Sequence, residues 1–98
     1  MRDYEVTVIL QPQLEDDARD EVVGQVTDLL APGAEEADKP ALDVWGMRKM
    51  AYEIQKFKQG YYLHYNAKLD ATRIPEIERR LQYMEDVLRY LVVRKDDQ

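Results

Sequence analysis

The stretch Val44-Trp45-Gly46-Met47-Arg48-Lys49-Met50-Ala51-Tyr52-Glu53-Ile54-Gln55-Lys56-Phe57-Lys58-Gln59-Gly60-Tyr61-Tyr62 decides the fold. Met50, Tyr52 and Ile54 fall on one face of an extended chain, and Lys49, Ala51 and Glu53 on the other. That is the period of two of a half-buried strand. Gly60 punctuates, and Tyr61-Tyr62-Leu63-His64-Tyr65 restarts in aromatic, β-favouring residues. The stretch therefore reads as a strand, a short basic loop and a second strand. Gly46, inside the first of them, points to a bulge or a close backbone approach.

Working outward, residues 2–10 alternate, with Tyr4, Val6, Val8 and Leu10 on a core face and Asp3, Glu5, Thr7 and Ile9 on the other. Gln11-Pro12-Gln13 ends that strand, because proline cannot donate to a ladder. A helix follows, capped by Glu15 or Asp16, with Ala18, Val22, Val26, Leu29 and Leu30 in its apolar stripe. Ala31-Pro32-Gly33 stops it, and residues 33–40 read as an acidic surface loop. Beyond the hairpin, Tyr61, Leu63, Tyr65 and Ala67 face the core, while Tyr62, His64 and Asn66 point away. Thr72 is the expected cap of a second helix whose stripe is Ile74, Ile77, Leu81 and Met84. Val87–Arg94 makes the last strand. The order βαββαβ, with right-handed crossovers, predicts an α+β ferredoxin-like sandwich: a four-stranded antiparallel sheet with both helices on one face. Residues 1–98 are one domain.

Charge is unevenly placed. The chain has a net charge of −6, yet residues 46–68 carry Arg48, Lys49, Lys56, Lys58 and Lys68 against Glu53 alone, a net of +4. Residues 1–45 are strongly acidic, with a net of −9. A pI near 4.7 excludes a protein that coats nucleic acid by bulk charge, but a local basic patch still meets phosphate. With no Cys, the chain offers no disulfide and no thiolate metal site. No apolar run approaches a membrane span, and the N-terminus is not a signal peptide. A soluble, cytoplasmic protein is expected.

Catalysis has little to stand on. The chain has no Ser and no Cys, and His64 is its one His, so a nucleophile–imidazole arrangement lacks a nucleophile. The first turn offers no Gly-rich phosphate cradle, which counts against an acylphosphatase. Neither cofactor, metal nor small-molecule substrate is expected. On the helix-free sheet face, Ile9, Tyr62, His64, Leu91 and Val93 form an apolar set where a solvated face would be polar. Asp3, Glu5, Thr7 and Arg89 supply its polar remainder. Such a patch, rimmed by charge, marks a protein interface, and Glu5 suits a basic partner. The expected partner contacts are therefore Glu5, Ile9, Tyr62, His64, Arg89, Leu91 and Val93.

Several segments together resemble the bacterial small-subunit ribosomal protein S-six family. They are Met1-Arg2-x-Tyr4-Glu5-Val6, Pro12-x-Leu14, Trp45-Gly46-x-Arg48-Lys49-Met50-Ala51-Tyr52-x-Ile54, Gly60-Tyr61-Tyr62 and Val87-Leu88-Arg89-Tyr90-Leu91-Val92-Val93-Arg94. Glu53 stands where many members have Pro, residues 33–40 exceed the compact form, and the chain stops at Gln98 without an extended tail. The resemblance implies a ribosome-associated, non-catalytic protein that binds small-subunit ribosomal RNA together with a small basic partner, small ribosomal protein eighteen. It places Arg2, Arg48 and Lys49 at the RNA or the partner. Lys56 and Lys58 join the expected RNA contacts on charge alone. The rival reading is a protein–protein module of the same fold that binds no RNA.

Overall fold

Four strands and two helices follow in the expected order: β1 (Arg2–Leu10), α1 (Asp16–Leu30), β2 (Ala41–Ile54), β3 (Phe57–Leu69), α2 (Ile74–Tyr83) and β4 (Val87–Arg94). This computed structural model describes residues 1–95, and residues 96–98 lie outside the described residues. The sheet order is β2-β3-β1-β4 with every neighbouring pair antiparallel. β1 and β3 are thus central, as the two crossovers require. The architecture is the ferredoxin-like sandwich, with the helices on one sheet face.

Alternation along β1 buries Tyr4, Val6, Val8 and Leu10 under the helices, where Leu63, Tyr65, Ala67 and Leu69 of β3 join them. Val22, Val26 and Leu30 of α1 and Ile77 and Leu81 of α2 close the core from above. Each fully buried aliphatic side chain contributes about 1.5–3 kcal/mol, so this one cluster holds the domain together. Ala18, expected in the α1 stripe, is exposed, because the helix only meets the sheet from its second turn onward.

One polar contact inside the sandwich ties α1 to β3. The Tyr65 hydroxyl lies 2.9 Å from Thr27 Oγ1, and Thr27 also donates to the Val23 carbonyl at 2.8 Å. Burial pushes the Tyr65 phenol above its usual 10.0, with the Thr27 hydrogen bond opposing. The C-terminus of α1 carries no basic residue of its own. Arg73, just before α2, supplies one instead: its guanidinium donates to the Leu29 carbonyl at 2.9 Å and the Leu30 carbonyl at 3.5 Å. A cation there meets both the orphan carbonyls and the negative end of the helix dipole.

Three local expectations are corrected. The hairpin loop is only Gln55-Lys56, both at positive φ (51° and 71°), and β3 begins at Phe57, so Gly60 lies inside a strand rather than marking its start. The cap before α2 is Asp70, which accepts from the Thr72 amide at 3.0 Å and the Thr72 hydroxyl at 2.8 Å. These bonds hold the Asp70 carboxyl below its usual range. Thr72 itself sits inside a 3-10 turn, Ala71–Arg73, that leads into α2. The acidic loop of residues 33–40 likewise contains one 3-10 turn, Glu36–Asp38.

Candidate nucleic-acid interface and partner face

The helix-free side of the sheet is a lattice set by strand register. Reading from β3 across β1 to β4, one row is Tyr62, Ile9 and Arg89. The next is His64, Thr7 and Leu91, and a third is Asn66, Glu5 and Val93. Antiparallel partners point to the same side, so these nine side chains share one face. Leu91 and Val93 are 59% and 43% exposed, large values for aliphatic residues on a sheet.

β2 adds an aromatic cover that parity alone does not reveal. Its pairing with β3 slips between Val44 and Gly46, and Gly46 takes φ +78°. The bulge foreseen at Gly46 thus exists, and it turns Trp45 over the neighbouring strand. The indole stacks on His64 at 4.8 Å between centroids and an interplanar angle of 7°, and reaches Tyr62 at 6.4 Å. Its Nε1 donates to Asp43 at 3.0 Å, and the Arg48 guanidinium lies 5.0 Å from the ring. Beneath it, His64 Nε2 is 3.0 Å from Glu5 Oε1, and Nδ1 is 3.3 Å from the Thr7 hydroxyl. One neutral tautomer serves both contacts, with Nε2–H donating to Glu5 and Nδ1 accepting from Thr7.

The far end of the hairpin curls over the same face. Gly60 is where it touches down: a Cβ built there would lie 2.3 Å from Ile9 Cγ2 and 3.5 Å from Met50 Sδ. Met50 and Ile9 are both buried although neither belongs to the main core. Further along, the Tyr52 hydroxyl accepts from the Arg89 guanidinium of β4, which also lies over the Tyr52 ring. Ile9, expected to offer surface to a partner, is only 8% exposed. It supports the hairpin end rather than the open patch.

The structure gathers four of the five expected RNA-contact residues and separates the fifth. Arg48 and Lys49 lie in β2, Lys56 in the turn and Lys58 at the start of β3, all exposed. Arg48 pairs with Gly60 and Lys49 with Gln59, so their side chains leave opposite faces of the hairpin. Arg2 opens β1 opposite Leu69, at the other end of the sheet. Eight steps of about 3.3 Å put it roughly 25 Å from Leu10, where the hairpin end begins. Sequence reasoning missed Trp45, Asp43 and Tyr52 as parts of the face. The lone Trp beside a strand glycine was the available signal for the first of these.

The family model described as "Ribosomal protein S6" matches residues 3–94. The chain belongs to the ribosomal protein S6 family. It is 40% identical over 96 residues to the small ribosomal subunit protein bS6 of Fusobacterium nucleatum, covering 98% of this chain and 100% of that one. To the bS6 of Trichlorobacter lovleyi it is 42% identical, over 100% of this chain and 79% of the relative. The crystal structure of 30S ribosomal protein S6 from Thermotoga maritima superposes with a TM-score of 0.84 at 27% identity, covering 96% of this chain and 87% of that one. A member of the S6 family is a protein of the small ribosomal subunit, in a cytoplasmic particle, and not an enzyme. Among the described residues, no helix is long and apolar enough to cross a membrane.

Proposed function

We propose that this member of the S6 family binds small-subunit ribosomal RNA through its β2–β3 hairpin while its helix-free sheet face docks small ribosomal protein eighteen. The observation that carries the reading is the division of the surface. Arg48, Lys49, Lys56 and Lys58 cluster on the hairpin, whereas exposed Leu91 and Val93, with the Trp45–His64 stack, make an apolar face beside it. Phosphate takes the first surface by charge, and a protein takes the second by burial.

Few cations engage the RNA, and the chain as a whole is acidic. Binding by this protein alone is therefore weak, and the basic partner supplies the remaining phosphate contacts. Each phosphate neutralised adds roughly 0.7–0.9 to the slope of affinity against salt. Arg2, at the far end of the sheet, contributes a separate contact to RNA or partner. Without the hairpin cluster, the apolar face alone would describe a protein–protein module.

The test is in vitro assembly of small subunits with Arg48→Glu and Lys49→Glu chains. Exposed strand charges alter stability by less than about 0.5 kcal/mol, so both variants stay folded and incorporate poorly. Wild-type incorporation by either variant would remove that residue from the interface.

A further inference from the structure

The third row of the helix-free face places a carboxylate where an apolar partner would cover it. Glu5 lies between Asn66 of β3 and Val93 of β4, diagonal to His64 and Leu91. Its side chain is 39% exposed, and one oxygen is taken by His64 Nε2 at 3.0 Å. His64 is in turn fixed by Thr7 below and by the Trp45 ring stacked on it. The carboxylate is thus aimed by a rigid neighbour rather than swinging free.

We propose that Glu5 is the point at which this face reads its partner: the docked protein brings an arginine or lysine side chain to the Glu5 carboxylate from within an apolar contact surface. The inference rests on the docking of a protein partner at this face, proposed above. An ionised carboxylate accepts about four hydrogen bonds, and the imidazole supplies one. Docking against Leu91 and Val93 strips the water that serves the rest, and a covered carboxylate is costly unless a donor of opposite charge replaces that water. Among the described residues, the cations of this face have other neighbours: Arg89 has Tyr52, Lys95 Nζ has Asn66 Oδ1 at 3.2 Å, Arg48 has Trp45, and Lys68 stands opposite Asp3 in the next row. The replacement therefore comes from the partner, as a charge-assisted hydrogen bond. A second copy of this chain docked face to face about a two-fold axis along β1 fits badly, because it brings one Glu5 against the other. The carboxylate acts mainly as a discriminator, penalising apolar surfaces that lack the cation.

The experiment is calorimetric titration of purified small ribosomal protein eighteen into the full chain without RNA, comparing wild type, Glu5→Gln and Leu91→Asp. Glutamine keeps an acceptor for His64 and so preserves the fold, which circular dichroism verifies. The expected result is loss of binding in Leu91→Asp, and at least about tenfold weaker binding in Glu5→Gln with a flatter salt dependence. Loss in Leu91→Asp with unchanged affinity in Glu5→Gln overturns the role of Glu5 while leaving the docking face in place. Unchanged binding by a folded Leu91→Asp, no binding by wild type, or dimerisation of the chain through this face overturns the docking itself and the inference with it.

Discussion

Gly60→Ala tests whether the hairpin end packs onto β1 as described. The glycine has no positive φ, so alanine is allowed by the backbone, and such a replacement on its own stabilises by about 0.4–1 kcal/mol through the unfolded chain. Against that stands the contact. The new Cβ would lie 2.3 Å from Ile9 Cγ2, whereas carbon atoms rest at about 3.5–4.0 Å. More than 1 Å must therefore be found. Ile9 is β-branched and stiff at χ1, and the Leu10 carbonyl oxygen at 3.4 Å blocks another direction. Only Met50, at 3.5 Å, yields easily. Overpacking of this kind costs about 1–3 kcal/mol, so at mid-range values the clash wins by about 1.3 kcal/mol, a fall in Tm of roughly 5–10 °C. Ile9→Ala, itself destabilising by about 2–5 kcal/mol, removes the obstructing methyl, and in its background Gly60→Ala becomes neutral or stabilising. Urea unfolding followed by circular dichroism measures all four corners of the cycle. A single Gly60→Ala variant as stable as wild type, or a cycle with no coupling, would refute the packing of the hairpin end on β1.

Arg73→Met leaves the last carbonyls of α1 without their guanidinium, and should cost about 1 kcal/mol in urea unfolding with little change in m value. Parity with wild type would mean that water serves those carbonyls equally well. Tyr65→Phe should cost about 1 kcal/mol at neutral pH through the lost Thr27 hydrogen bond. The pH dependence follows from the raised folded pKa of Tyr65. The fold favours the neutral phenol, so its contribution is fully present below the unfolded value near 10 and is lost as pH rises through the higher folded value. Wild type should therefore lose stability above pH 10 more steeply than Tyr65→Phe, and parallel curves would contradict the buried position of the hydroxyl.

Much of this architecture was legible because burial has a period. The alternation of β1 and β4 and the stripe of α2 survive in the fold, since each element has one buried side and nothing interrupts it. What failed was local. Gln55-Lys56 forms the hairpin turn without glycine, and Gly60 serves a close approach to Ile9 that no neighbour in sequence announces. Asp70 outcompetes Thr72 as cap because its carboxylate reaches both the Thr72 amide and hydroxyl. The bulge at Gly46 resets the phase of β2, so Met50 and Tyr52 join the helix-free face, over Ile9 and Arg89. The charge cluster was visible as composition, but only the fold separates Arg2 from the hairpin.

Filter-binding titration of a small-subunit ribosomal RNA fragment at physiological salt tests whether RNA binding belongs to this chain and its proposed partner together. The chain is titrated alone and then with saturating small ribosomal protein eighteen. The expected result is weak binding with a shallow salt slope for the chain alone, and much tighter binding with a steeper slope when the partner is present. Nanomolar binding to arbitrary RNA by the chain alone, or an affinity that the partner leaves unchanged, would contradict it.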